Sequence, residues 1–320
     1  MLNEMLGEML SKKFKWVITG GAGFIGSHLV KALLEAGQQV AVVDNTKSIK
    51  ESAIYPLLSQ IEFINGDIRS FDTLSKAFNK ADYIVHYAAL VSVAESMEKP
   101  LETFEINTQG TANVLEAARQ NKVKRVVFAS SSAVYGNNPN PPYTEDTPLD
   151  PQSPYAQSKH LATELCQTYT KIYGLETAIL RYFNVYGPGQ NANSPYSAAI
   201  AKFMTAAAQN KPFTIDWDGK QSRDFIYVSD IVAATLLVAF KGEAGGVYNA
   251  ASGRTHTLLE LTSAINKLSG LKLPPIFRPK RAGDVKTSSA DTTKLQALGF
   301  KPRFSLEEGL SAMWQIIKKA

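Results

Sequence analysis

The sequence has one cysteine, Cys166, and no apolar run near the roughly 20 residues that a bilayer-spanning helix requires. A single cysteine excludes an internal disulfide. Its setting in ATELCQTY, a helical pattern, predicts a packed thiol and a reducing, cytoplasmic environment. Charge is not clustered either. The 34 Lys and Arg exceed the 29 Asp and Glu for a net charge of +5, but they are spread along the chain and form no stripe for nucleic acid. A mildly basic balance suits a polyanionic small molecule. No internal repeat or low-complexity segment is visible. The first residues, MLNEMLGEML, place apolar side chains at 2, 5, 6, 9 and 10 with Glu4 and Glu8 between them. That stripe predicts a short extra helix packed on the fold, and it lacks the basic start of a signal peptide.

With 320 residues, 44% of them hydrophobic, the chain can bury a large core. From residue 15 to about 130, short β-branched runs (KWVITG, QVAVVD, IEFING, DYIVHYAA, RVVFAS) alternate with helical stretches at 24–36, 70–79 and 100–120. Nearly all-apolar strands alternating with helices predict a parallel sheet covered on both faces. A long helix to about 173 and another buried strand, ETAILRYFN, follow. From about 184 proline, glycine and asparagine thicken (YGPGQNANSP) and the character changes. FTIDWDGKQSRDFIYV is expected to be a hairpin turning at Asp218-Gly219. Ser305 with Glu307 and Glu308 marks the start of a last helix.

Between the first strand and first helix runs TGGAGFIGSHL. Gly20, Gly23 and Gly26 give G-x-x-G-x-x-G, with Gly21 in an overlapping register. Glycines there permit a tight turn, approach of a pyrophosphate to backbone N–H groups, and close helix–strand packing. Asp44 ends the second strand, where an acid accepts hydrogen bonds from adenosine ribose hydroxyls and repels a 2′-phosphate. NAD is therefore expected rather than NADP.

SPYAQSK, residues 153–159, puts Tyr155 and Lys159 one helical turn apart on one face. A tyrosine hydroxyl has a pKa of about 10, too high for a base at neutral pH. A nearby ammonium and the positive ring of oxidised nicotinamide would favour the phenolate, and Lys159 could also hold the nicotinamide ribose. The fifth strand ends in ASSSAVYG, so Ser130, Ser131 and Ser132 lie at the carboxyl edge of the sheet, where such folds bind ligands.

TGGAGFIGSHL, HYAALVSV, SSSAVYG, SPYAQSK, LRYFNVYGPGQ and SRDFIYVSDI, in that order along nearly the whole chain, resemble the extended short-chain dehydrogenase/reductases acting on nucleotide sugars. The resemblance implies a Rossmann-type doubly wound parallel sheet with a smaller C-terminal α/β substrate lobe, residues 1–183 and 184–320, the two interleaved. It implies Tyr155 as base, Lys159 as its activator and Ser131 as the hydroxyl partner. It further implies NAD contacts from Gly20, Gly23, Phe24, Ile25, Gly26, Asp44, Asn45, Asp67, Ile68, Ala88, Ala89, Asn107, Tyr155, Lys159 and Tyr182. Arg223 and Arg281 would face a diphosphate with Asn184, Asp284 would meet the uridine ribose, and Ser131 and Ser132 would touch the substrate.

Family members that remove water from the sugar place Asp and Glu after the catalytic serine. Ser132 and Ala133 stand there instead, so a UDP-sugar 4-epimerase is expected. In such enzymes Tyr155 would take the C4 hydroxyl proton while C4 gives hydride to NAD, and the 4-keto sugar would turn and be reduced on its other face. Ser288 matches the position that walls the C2 substituent, and its small size implies room for UDP-N-acetylglucosamine and UDP-N-acetylgalactosamine. UDP-glucuronate 4-epimerisation is the alternative, and a non-catalytic NAD-binding regulator the alternative of another class. The resemblance also implies a homodimer formed by helices at about 100–120 and 154–173, whose apolar positions (Phe104, Val114, Leu115, Leu161, Leu165, Tyr169) equally fit internal packing.

Overall fold

The computed structural model describes residue 7 and residues 11–190, 199–280 and 286–318. The expected N-terminal helix, Arg281 and Asp284 lie outside the described residues. Six parallel strands alternate with helices through the first half: β1 (Lys15–Thr19), α1 (Phe24–Glu35), β2 (Gln39–Asp44), β3 (Glu62–Asn65), α2 (Phe71–Ala77) and β4 (Tyr83–His86). There follow α3 (Val93–Glu98), α4 (Pro100–Phe104), a π-helical turn over Glu105–Gln109, and α5 (Gly110–Gln120). β5 (Arg125–Ser131), α6 (Pro154–Tyr173) and β6 (Glu176–Tyr182) complete this half.

The later half holds β7 (Asn184–Tyr186), α7 (Ala199–Ala208), β8 (Phe213–Asp216), β9 (Ser222–Tyr227), α8 (Val228–Lys241) and β10 (Gly246–Ala250). Then come β11 (Thr255–Thr257), α9 (Leu258–Ser269), β12 (Pro275–Arg278), β13 (Thr287–Ser288), α10 (Thr293–Ala297) and α11 (Leu306–Ile317).

The large sheet runs β10-β6-β5-β4-β1-β2-β3 with every pairing parallel. Both of its faces are covered, which is why β1, β2 and β5 read as continuous apolar runs. On one side Leu29, Val30 and Leu33 of α1 and Ile231, Leu236 and Leu237 of α8 pack on Ile18, Val42 and Val127. On the other, Leu74, Val114, Leu115, Ala162 and Cys166 pack on Val17, Val43 and Val126. Cys166 is the expected packed thiol. Strand order reverses between β1 and β4, opening a crevice at the carboxyl edge where a doubly wound sheet receives its ligand.

The later half has its own core, in which Tyr186, Phe203, Met204, Phe213, Leu261, Leu310 and Trp314 are buried together. Two of its segments, α8 and β10, nevertheless return to the large sheet. The expected hairpin does not form. β8 pairs in parallel with β12, whereas β9 pairs with β7, β11 and β13. Trp217 and Gly219 both take positive φ, 68° and 74°, and the chain passes from one small sheet to another through that turn. The last helix starts as expected: Ser305 accepts from the Glu308 amide, and the Glu308 carboxylate accepts from the Ser305 amide.

Candidate active site

The glycine loop is built for close approach. Gly20 takes φ +71°, and a Cβ there would lie 2.6 Å from the Ala88 amide nitrogen. A Cβ on Gly26 would lie 2.3 Å from the Gly20 carbonyl, so α1 could not sit this near β1 with any larger residue. No side chain caps α1, whose N-cap is Gly23. Its first-turn amides therefore face the crevice without a protein acceptor, the arrangement a diphosphate fits.

Asp44 closes β2 beside this loop. Its carboxylate accepts from the Ala22 and Thr46 amides, each at 2.9 Å, while burial pushes its pKa above the ordinary carboxylate range. The acid thus pins the loop as well as facing the crevice. Asp67 accepts from Arg69 at 2.7 Å and from Asn45 at 3.3 Å, and the Arg69 hydrogen bond holds its carboxyl below the usual range.

A cavity of about 820 Å³ joins these groups to the catalytic candidates. Of the expected NAD contacts, Gly20, Gly23, Phe24, Ile25, Gly26, Asp44, Asn45, Asp67, Ile68, Ala88, Ala89, Tyr155, Lys159 and Tyr182 all line it. Asn107 does not. It is buried on the π turn, where its side chain accepts from the Leu90 amide at 2.8 Å and donates to the Leu90 carbonyl and Ser158 Oγ, both at 3.0 Å. It clamps the cavity wall to the catalytic helix from behind.

Ser153 caps α6 by accepting from the Ala156 amide at 3.1 Å, and Pro154 occupies the first turn, where its missing N–H costs nothing. Tyr155 and Lys159 consequently fall on the first and second turns of a well-anchored helix. The Ser96 hydroxyl accepts from the Tyr155 amide at 3.2 Å and fixes the helix to α3.

The Tyr155 hydroxyl is hydrogen-bonded to Ser131, which lowers its pKa, but burial is the larger influence and leaves it above 10. Lys159 Nζ donates to the Ala129 carbonyl at 2.8 Å and stands 4.9 Å from the centre of the Phe128 ring, and burial lowers its pKa to about 8. Burial thus outweighs the Ser131 hydrogen bond, and the residues alone do not lower Tyr155.

Ser132 begins the turn after β5, and neither this cavity nor its neighbour is lined by it. Asn184 and Val185 are shared with a second cavity of about 430 Å³, which Arg223, Lys202, Arg278 and Asp216 also line. Asn184 Nδ2 donates to the Asp224 carbonyl at 3.1 Å. Arg223 donates to the Ser222 carbonyl at 2.8 Å, and its partner across the β9–β13 register is the buried Ser288. Ser288 lines neither cavity among the described residues.

Lys202 and Arg278 carried no expectation from the sequence, and Asp224, next to Arg223 in the chain, reads there as a surface ion-pair partner. Arg278 shares a basic stretch with Arg281, a signal that could have pointed to it; Lys202 carried none. Asp224 is fully buried, and burial raises its carboxyl to about 6 against hydrogen bonds from the Ser252 hydroxyl (2.7 Å) and the Ser252, Gly253 and Ala290 amides. It ties β9, and so Arg223, to the two loops that follow β10 and β13.

Among the described residues no cluster of three His, Cys, Asp or Glu could hold a metal, and no helix is long and apolar enough to cross a membrane.

Residues 16–251 match the NAD dependent epimerase/dehydratase family. A UDP-glucose 4-epimerase of Lacticaseibacillus casei is 34% identical over 316 residues, covering 93% of this chain and 95% of its own. A UDP-N-acetyl-alpha-D-glucosaminuronate decarboxylase of Bacillus cytotoxicus is 36% identical, over 93% and 96%. Among solved structures, the UDP-N-acetylglucosamine 4-epimerase of Methanobrevibacter ruminantium M1, in complex with UDP-N-acetylmuramic acid, superposes with a TM-score of 0.90 at 38% identity, covering 96% of this chain and 99% of that one. With the glycine loop, the uncapped helix and the Asp44 acid fitting an NAD diphosphate and ribose, the chain belongs to the NAD dependent epimerase/dehydratase family.

Proposed function

We propose that the chain is a UDP-hexose 4-epimerase that interconverts UDP-N-acetylglucosamine and UDP-N-acetylgalactosamine, with UDP-glucose and UDP-galactose as secondary substrates. One observation carries the reading. The hydrogen-bonded Ser131–Tyr155 pair, with Lys159 one turn on, opens into the same cavity as the glycine loop and Asp44, close to Asn184, where the second cavity begins.

Tyr155 Oη takes the proton from the sugar C4 hydroxyl, and Ser131 Oγ, already bonded to Tyr155, holds the same oxygen. Bound NAD supplies a hydride acceptor that returns the hydride, and its oxidised ring brings a positive charge that offsets the burial raising Tyr155. Lys159, seated on the Ala129 carbonyl, would hold the ribose end of that group. Arg223 and Asn184 hold the diphosphate while the 4-keto sugar turns about its link to it. Tyr155 then returns the proton with the opposite sugar face presented. Ser132 and Ala133, which follow Ser131, carry no carboxyl group that could remove water from C5 and C6, so the keto sugar is reduced again.

The acetylated sugar rests on the family resemblance at Ser288, a small residue where the C2 substituent is walled; here it is buried opposite Arg223 in the strand register. A uronate is less well served: the described lining of the larger cavity carries Asp44, Asp67, Glu95 and Glu102 against the single cation Lys159. Subunits pair through α4 and α6, which present the exposed Leu101, Ile172 and Tyr173, whereas Val114 and Leu115 are core residues. Sedimentation equilibrium reads the pairing, and a monomer would refute it.

The test of function is incubation of the purified protein, without added NAD, with UDP-N-acetylglucosamine, UDP-glucose and UDP-glucuronate separately. NMR should reveal the C4 epimer of the acetylated sugar fastest. Conversion of glucuronate alone would overturn the substrate, and no conversion with NAD supplied would overturn the activity.

A further inference from the structure

Two tyrosines of the larger cavity share a hydrogen-bond partner that does not line it. Tyr87 follows β4 and Tyr182 ends β6, and both line the cavity with Ser131, Tyr155 and the glycine loop. Thr235, fully buried in α8, lies outside that lining. Its Oγ1 is 3.0 Å from the Tyr87 hydroxyl and 2.8 Å from the Tyr182 hydroxyl, and the two tyrosine hydroxyls are 3.3 Å apart.

The Thr235 hydroxyl donates to the Ile231 carbonyl at 2.9 Å. Its oxygen is then left to accept, with one lone pair for each tyrosine. One side chain from the later half thus fixes two rings of the cavity wall, whose centres stand 6.2 Å apart at 46°. Burial raises both phenols, Tyr87 to about 12, and both keep their protons at neutral pH.

The strands place this wall beside the chemistry. Tyr182 is opposite Ser131 in the β5–β6 register, and Tyr87 precedes Ala88, whose amide stands against Gly20. The glycine loop and Asp44 fit the diphosphate and the adenosine ribose. The nicotinamide therefore falls to the end of the cavity that Ser131 and Tyr155 share with these two rings.

We propose that Thr235 is a positioning residue: through Tyr87 and Tyr182 it holds the wall against which the nicotinamide of bound NAD is seated. The kinetic consequence rests on the epimerase reading, and the cofactor consequence does not. Without the Thr235 hydroxyl, two buried phenols lose their acceptor and the rings must shift to find another. The nicotinamide is then freer to tilt away from sugar C4. At that stage C4 has given its hydride to NAD and the C4 hydroxyl its proton to Tyr155. If the hydride returns slowly, more of the 4-keto sugar escapes and NADH stays on the protein.

Thr235→Val keeps the side-chain shape and removes the hydroxyl, whereas Thr235→Ser keeps the hydroxyl. In Thr235→Val, kcat should fall roughly tenfold with KM for the UDP-sugar little changed, and the absorbance of NADH should build up during turnover. The fluorescence emission of the NADH-loaded protein should shift as well. Thr235→Ser should restore all three. Tyr87→Phe leaves Tyr182 bonded to Thr235, so it should shift the emission less and add nothing to Thr235→Val in the double variant.

Unchanged emission and kcat in Thr235→Val would overturn the role, or in Tyr87→Phe should the valine variant fail to fold. So would Thr235→Ser behaving like Thr235→Val, because the hydroxyl would then not be the cause. Equal weakening of UDP and NADH binding would mean a general loss of structure and would overturn it too. If the unaltered protein converts no UDP-sugar, the epimerase reading falls, and the NADH emission of the variants alone decides the wall.

Discussion

The two ends of the proposed site are made differently. At the cofactor end each group sits where a strand of the large sheet stops: Gly20 follows β1, Asp44 closes β2, Ala88 follows β4 and Ser131 closes β5. Seven parallel strands with both faces buried fix those ends, so the chemistry inherits its positions from the core. At the nucleotide end, β7, β11 and β13 have three, three and two residues, and their pairings join distant parts of the chain. Arg223 is held there by the buried Asp224 and by neighbouring carbonyls. The cofactor end takes its positions from the large sheet, whereas the nucleotide end adds the polar bonds of Asp224 to a smaller apolar core, and the two should fail differently.

The largest effect is expected at Tyr155. Tyr155→Phe keeps the ring and removes the proton acceptor, so turnover should fall by roughly a hundredfold to ten-thousandfold with NAD still bound, as for other general bases. Quantifying cofactor released on denaturation, beside the rate, checks both halves. Loss of the cofactor with the activity would mean that Tyr155 is mainly structural.

Arg223→Ala should act on the other end alone. Loss of hydrogen bonds to a charged diphosphate costs about 1.5–3 kcal/mol, so UDP should bind roughly tenfold to a hundredfold more weakly. Calorimetry with UDP and with NAD would read the contrast, and equal losses of both would erase it.

Asp224→Asn should lower stability by about 1–3 kcal/mol, because an amide cannot accept from every donor that faces Asp224. Its pH dependence has a definite sign. The folded carboxyl, at about 6, lies above its unfolded value, so the folded state holds that proton more tightly. Its contribution therefore becomes more favourable as pH falls from 6 towards 4, and the variant should lack that gain. Urea unfolding of both proteins at pH 4.5 and 7 would show it, and parallel curves would contradict it.

Much of this was legible in the sequence, and unevenly so. The β1–loop–α1 unit could be read because each glycine answers to a local steric demand, and Tyr155 and Lys159 because helical spacing places them on one face. Asn107 could be named as a site residue but not positioned: its amide is consumed by Leu90 and Ser158, contacts that no spacing reveals. The FTIDW to DFIYV hairpin was misread because Asp-Gly between two apolar runs is a strong local turn signal. Tertiary pairing with β12 and β11 overrode it. Lys202 carries no local signal, since only the folded lobe brings it beside Arg223, and Asp224, next to Arg223 in the chain, gives no sign in the sequence that it is buried.

The most direct test of the account follows the fate of the hydrogen on C4. UDP-N-acetylglucosamine deuterated at C4 should yield UDP-N-acetylgalactosamine that still carries deuterium at C4 after many turnovers in ordinary water, because the hydride is taken and returned inside one closed site. Replacement of that deuterium by solvent hydrogen would contradict it and require inversion by proton abstraction from carbon.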